Sequence, residues 1–72
     1  MRKHENVVYR NLLCEMIMRG ETYEDLATLC GIKRWAFVKK MNGETVFSVP
    51  QANVLCAHFN KTFEHLFKTS NF

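Results

Sequence analysis

Apolar residues recur every three or four positions through the first part of the chain, which is the period of an α-helix. Five of them follow this spacing, with polar residues between them: Tyr9, Leu12, Leu13, Met16 and Ile17. Gly20 comes directly after the pattern, and a glycine at that place can end a helix in the left-handed conformation. The pattern predicts an amphipathic helix over residues 5–19.

Residues 22–43 predict two short helices joined by a tight turn. Thr22 is a favourable N-cap for a helix over residues 23–30, and Gly31 provides the turn before a second helix over residues 34–41. Such a pair is a helix-turn-helix, a motif that can place its second helix in the major groove of DNA. The residues expected to face inward from this segment are Leu26, Ala27, Leu29, Cys30, Ile32, Phe37 and Met41.

Two more helices are predicted downstream. Ser48 and Gln51 have the spacing of a capping box, which predicts a fourth helix over residues 49–59. Thr62 begins a short fifth helix, predicted over residues 62–69. The chain is therefore predicted to form one all-α domain over residues 1–72, a compact bundle of five helices.

The net charge of +3 comes from one short segment. Residues 1–32 have a net charge of −1 and residues 44–72 a net charge of 0. Residues 33–43 have a net charge of +4, contributed by Lys33, Arg34, Lys39 and Lys40. A solvated charged surface is one explanation, but the absence of any acid from this segment favours contact with an anionic partner such as DNA phosphates.

The remaining composition is typical of an ordinary folded domain. No apolar run reaches the roughly 18 residues that a membrane span requires, so a cytoplasmic protein is expected, in the bacterial cytosol or nucleoid. Cys14, Cys30 and Cys56 are odd in number and widely spaced, which favours reduced thiols. No spacing of His, Cys, Asp or Glu indicates a zinc site or a catalytic dyad. We expect no enzyme activity, catalytic residue, metal, cofactor or small-molecule ligand.

With these residues laid out, the chain resembles the lambda-repressor/Cro-type helix-turn-helix family, also called the XRE family. The resemblance covers nearly the whole chain and rests on the spacing of Leu26-Ala27, Gly31-Ile32, Phe37, Asn42-Gly43, Ala52, Leu66 and Phe67. The segment KKMNGETVFSVPQA is similar to small bacterial and phage regulators that have a Lys-Leu-Asn-Gly turn and then a buried Phe, here Phe47. The resemblance implies a five-helix, lambda-repressor-like DNA-binding domain with its helix-turn-helix at residues 22–43.

The resemblance also implies which residues meet DNA. Base contacts are implied for four residues of the second motif helix or its start: Lys33, Arg34, Trp35 and Lys39. Phosphate contacts are implied for Thr22, Tyr23, Lys40 and Asn42, with packing as the alternative for Tyr23. Arg34 is the residue best suited to direct readout, because a guanidinium can donate two hydrogen bonds to O6 and N7 of guanine.

Two functions are compatible with these features. The first is a sequence-specific, double-stranded DNA-binding transcriptional regulator, a Cro-like repressor that reads an inverted repeat as a homodimer. Its expected dimer interface is Phe63, Phe67 and Phe72, with closure of the monomer core as the alternative for Phe63. The second is a helix-turn-helix scaffold that binds a protein, as an antirepressor or inhibitor, through Trp35 and Val38. Exposed aromatic residues favour such interfaces.

Overall fold

The computed structural model describes residues 6–69, and this part of the chain forms five α-helices and no strand. The helices are α1 (Arg10–Met18), α2 (Tyr23–Cys30), α3 (Arg34–Met41), α4 (Val49–Phe59) and α5 (Phe63–Leu66). The all-α prediction is therefore confirmed. The second, third and fourth helices have the bounds expected from the sequence.

The first and last helices are shorter than predicted. The helix expected over residues 5–19 begins only at Arg10, because the preceding segment packs against the end of α3 instead of continuing the helix. Val7 is buried, and the Val8 N–H donates to the Met41 carbonyl oxygen at 2.9 Å. The helix expected over residues 62–69 ends at Leu66, after which Phe67 packs its ring among other aromatic side chains.

Capping boxes begin α2 and α4: the box at Ser48 and the N-cap role of Thr22 are as the sequence predicts, and the reciprocal bond from Asp25 adds a second box. Thr22 Oγ1 accepts the Asp25 N–H at 3.2 Å, and Asp25 Oδ2 accepts the Thr22 N–H at 2.9 Å. The Ser48 and Gln51 pair repeats this arrangement at 3.3 and 3.0 Å. Each box provides partners for backbone N–H groups that a helix terminus leaves unpaired. By contrast, Lys33 makes no side-chain capping bond at the start of α3.

A single apolar core joins the five helices. α2 packs on α3 and α4, while α5 packs on α1 and α4. The buried residues of the core cluster are Val7, Leu12, Leu13, Met16, Tyr23, Leu26, Ala27, Phe37, Met41, Leu55, Phe59 and Leu66. Cys30 and Ile32, also expected to face inward, are partly buried and pack against this cluster. Ile17 and Leu29 are instead exposed, at 56% and 41%.

Polar contacts attach α1 and the turn after it to the last two helices. His58 Nε2 lies 2.7 Å from Glu21 Oε2, and His65 Nε2 lies 3.2 Å from Glu15 Oε2. Arg19 Nη1 donates to the His58 carbonyl oxygen at 2.7 Å. Both described histidines therefore make contacts that hold helices together.

Gly43, just after α3, has a left-handed backbone with φ of 79°. A Cβ at this position would lie 3.3 Å from Val8 Cγ1, whereas a Cβ at Gly20, with φ of 68°, would meet nothing within 4 Å. We expect Gly20→Ala to lower the free energy of unfolding by about 1 to 2 kcal/mol through backbone strain. Gly43→Ala should lower the free energy of unfolding by more than Gly20→Ala does, because Val8 must also move. Urea denaturation of both variants measures the difference, and equal losses would contradict the role of the Val8 contact.

Candidate nucleic-acid interface

One side of α3 is anchored in the core. Phe37 and Met41, one helical turn apart, are both fully buried, as the sequence predicts. The ring centroid of Phe37 lies 5.8 Å from that of Tyr23 and 5.5 Å from that of Phe47. These contacts hold α3 against α2 and against the link to α4, so that the opposite side of the helix faces outward.

The turn between α2 and α3 fixes where α3 begins. Gly31 has a φ of 73°, in the left-handed region that its lack of a Cβ permits. Its N–H donates to the Thr28 carbonyl oxygen at 3.1 Å, and the Ile32 N–H donates to the Ala27 carbonyl oxygen at 3.0 Å. These bonds satisfy carbonyl groups at the end of α2, which lets the chain reverse within residues 31–33.

The exposed side of α3 and its start contain all four residues for which base contacts were expected: Lys33, Arg34, Trp35 and Lys39. Trp35 is 64% exposed, and the Lys39 Nζ lies 5.8 Å from the centroid of its ring. That distance is within the range of a cation–π contact. Because residues 33–43 contain no acid, these cations form a positive surface on a firmly anchored helix.

Lys40 does not belong to this surface. Its Nζ donates to the Val46 carbonyl oxygen at 2.8 Å and lies 5.9 Å from the centroid of the Phe47 ring. Burial raises the pKa of the Cys30 thiol, and the Lys40 charge acts in the opposite direction. These contacts give the Lys40 ammonium a role in holding the link between α3 and α4, and the phosphate contact expected of it stays a prediction.

The other three residues expected to contact phosphates lie at the two ends of the segment. Thr22 is exposed at the start of α2, where its hydroxyl oxygen accepts the capping bond. Asn42 is half-buried at the C-terminal end of α3. Tyr23 is buried, and this burial raises the pKa of its phenol while the charge of Arg34 lowers it. The buried ring favours packing as the main role of Tyr23.

A cleft of about 540 Å³ lies beside Arg34, between α1, α2 and α3. It is lined by Met16, Ile17, Glu21, Thr22, Tyr23, Glu24, Arg34 and Val38. The sequence did not indicate that Glu21 and Glu24 lie near Arg34, because they come from another part of the chain and no local pattern reports that proximity. Their carboxylates repel phosphates, so this cleft is a less favourable place for an anionic partner than the exposed side chains of Lys33 and Lys39.

No protein-family model, curated protein or solved structure matches this chain. Within residues 6–69, no group of three or more His, Cys, Asp or Glu side chains could hold a metal ion. None of the helices in that range is long and apolar enough to cross a membrane.

The aromatic residues expected at a dimer interface have different environments. Phe67 is half-buried, and its ring centroid lies 5.4 Å from that of Tyr9 and 5.3 Å from that of Phe47. Phe63 is 60% exposed and stacks on Phe67 with centroids 4.9 Å apart. Phe67 therefore packs against the core, and Phe63 is the more exposed of the two. Phe72 lies outside the described residues.

Proposed function

We propose that this protein is a sequence-specific, double-stranded DNA-binding transcriptional regulator that reads the major groove with α3. One observation carries the proposal: α3 is anchored through Phe37 and Met41 while the cations Lys33, Arg34 and Lys39 lie on its exposed side or at its start. The major groove is about 12 Å wide and admits one helix. On this proposal residues 22–43 are a helix-turn-helix within a lambda-repressor-like domain, in keeping with the resemblance of the sequence.

The side chains have distinct roles on this proposal. Arg34, in the first turn of α3, donates two hydrogen bonds to a guanine. Lys33 and Lys39, which are both exposed, bring further positive charge to the duplex. The first turn of α2 contains Glu24 and Asp25, so its N-terminal end, next to Thr22, is the weaker candidate for a phosphate contact.

We expect a homodimer because a single α3 helix contacts only a short stretch of DNA. One α3 helix reads only a few base pairs, and a two-fold pair of helices one turn of DNA apart reads an inverted repeat. The exposed ring of Phe63 supports an interface at α5. A repressor of Cro-like size, acting at the nucleoid without enzyme activity, cofactor or small-molecule ligand, fits this description.

The adjacent residues Lys39 and Lys40 provide a matched test of the proposal. Each phosphate that a protein neutralises contributes about 0.9 to the slope of log affinity against log salt concentration. Lys39→Ala should weaken binding and flatten this slope by about 1. Lys40→Ala should leave the slope unchanged and lower the free energy of unfolding by about 1 kcal/mol, because its bond to Val46 is lost.

The measurement begins with selection of a bound sequence from a random duplex library at low salt. Fluorescence anisotropy with the selected duplex, between about 50 and 200 mM salt, then compares the wild-type protein with the two lysine variants. Enrichment of no sequence would contradict the proposed function. Equal slopes for the two variants would contradict the separate roles of Lys39 and Lys40.

The exposure of Trp35 favours a second candidate function, in which the domain binds a protein through Trp35 and Val38. Val38 supports it less, because this side chain is half-buried against the core. The duplex selection separates the two functions. A protein-binding module would enrich no sequence, whereas a DNA reader would enrich one with steep salt dependence.

A further inference from the structure

We infer that Trp35 is a positioning residue for Lys39 within the proposed DNA-binding surface, so that the indole holds the ammonium instead of touching a base itself. The inference rests on the proposed function. It gives a role to the exposed indole, which is otherwise the least expected residue on a surface that meets a polyanion.

The geometry of α3 carries this inference. Trp35 and Lys39 are four residues apart, which places them next to each other on one side of a helix. The Lys39 Nζ lies 5.8 Å from the ring centroid, and both side chains are exposed. Within residues 6–69, the Lys39 ammonium makes no hydrogen bond or ion pair, although the Lys39 carbonyl oxygen accepts the Glu44 N–H, so the ring is the group that orients this ammonium.

The neighbouring lysine shows the same kind of contact on another side of the helix. The Lys40 Nζ lies 5.9 Å from the centroid of the Phe47 ring, where it also reaches the Val46 carbonyl oxygen. Each lysine in the last turn of α3 thus lies over an aromatic ring, one ring facing the core and the other facing solvent. The core-facing contact holds the link to α4, and the solvent-facing contact holds a charge where a duplex would meet it.

A positioned lysine binds better than a mobile one. A lysine side chain loses conformational freedom when it is fixed on a partner, and prior ordering reduces that loss. A cation–π contact at an exposed site corresponds to about a two- to fivefold change in affinity. Trp35 should therefore contribute to duplex binding by this factor, and only while the Lys39 ammonium is present.

A double-mutant cycle on the selected duplex tests this dependence. Trp35→Leu should weaken binding about two- to fivefold in the wild-type background and leave it unchanged in the Lys39→Ala background. Trp35→Phe, which retains an aromatic ring, should lose less duplex affinity than Trp35→Leu. The same loss in both backgrounds would overturn the positioning role. It would also be overturned if the Trp35→Leu loss disappeared when deoxyuracil replaced thymine, since the indole would then be contacting a thymine methyl group.

Nuclear magnetic resonance of the free protein tests the contact independently of DNA. The Lys39 ε-methylene protons should be shifted upfield by the indole ring, and Trp35→Leu should remove this shift. The Lys40 ε-methylene protons over Phe47 serve as the control that must stay shifted. An unshifted Lys39 in the wild-type protein would overturn the inference. If the Lys39 protons are shifted but the protein binds no duplex, the proposed function and the positioning role are both rejected. If the protein binds a duplex but the double-mutant cycle shows no coupling between Trp35 and Lys39, only the positioning role is rejected.

Discussion

Phe37→Ala is expected to leave the protein largely unfolded at room temperature. The Phe37 side chain is fully buried against Tyr23 and Phe47, and replacing a buried Phe by Ala costs about 3 to 5 kcal/mol. A domain of this size has only a few kcal/mol of net stability, so the loss is comparable to the entire free energy of unfolding. Circular dichroism during urea denaturation measures the change. Because Phe37 also anchors α3, duplex binding should be lost together with the helical signal.

Phe63→Ala provides the matched control for this prediction. The substitution is the same, but Phe63 is 60% exposed and stacks on only one described ring, that of Phe67. Phe63→Ala should lower the free energy of unfolding by about 1 kcal/mol, the size of an aromatic pair contact. Equal losses for the two variants would contradict the assignment of Phe37 to the core. If the proposed dimer exists, Phe63→Ala should also lower the average mass in sedimentation measurements.

Arg34→Ala is expected to relax the preference for one base pair in the selected sequence. A guanidinium that donates two hydrogen bonds to guanine contributes about 1 to 3 kcal/mol of discrimination, which corresponds to about 5- to 150-fold. Arg34 lies in the first turn of an anchored helix, so its removal should affect a single position of each half-site. Repeating the duplex selection with the variant measures the preference at every position.

Two controls separate specificity from charge. Arg34→Lys keeps the positive charge and loses the paired donors, so it should retain affinity for random duplex while losing the base preference. If Lys33 brings only positive charge to the duplex, Lys33→Ala should weaken binding to all sequences by similar factors, because phosphate contacts carry no sequence information. A selected sequence that is unchanged by Arg34→Ala would show that another residue reads that base pair.

Local sequence signals were sufficient for the middle of the fold. The capping residues Thr22 and Ser48 and the turn at Gly31 act through neighbours within a few positions, so their effect is visible in the sequence itself. The start of α1 was not predictable in this way. It depends on the bond from Val8 to Met41, two residues that are far apart in sequence and meet only in the folded protein.

Helical spacing also overestimated how much of each helix is buried. Ile17 and Leu29 have the expected period, yet their neighbours cover only a narrow stripe of these short helices. Leu12, Leu13 and Met16 occupy that stripe on α1. Spacing identifies which residues share a side of a helix, but the extent of cover depends on how the other helices cross it.

The candidate site was predictable in its charge and location, and less so in the role of each side chain. The sequence marks α3 as the basic helix, but Lys39 and Lys40 are adjacent in sequence and about 100° apart around the helix axis. Which of them meets a backbone carbonyl depends on the path of the link that contains Val46. The contrast between Phe63 and Phe67 has the same origin, since only Phe67 meets Tyr9 and Phe47.

The pairing of α1 with α5 has a consequence for biosynthesis. α1 is made before the other four helices, yet it packs on α5, which is made after them, and Asn11 Nδ2 donates to the His65 carbonyl oxygen at 2.8 Å. On the ribosome, α2, α3 and α4 can assemble as they emerge, but the contacts between α1 and α5 form only after α5 has left the exit tunnel. The pairing of these two helices therefore comes after the assembly of the helices between them, and Leu12 and Leu13 reach their full burial only then.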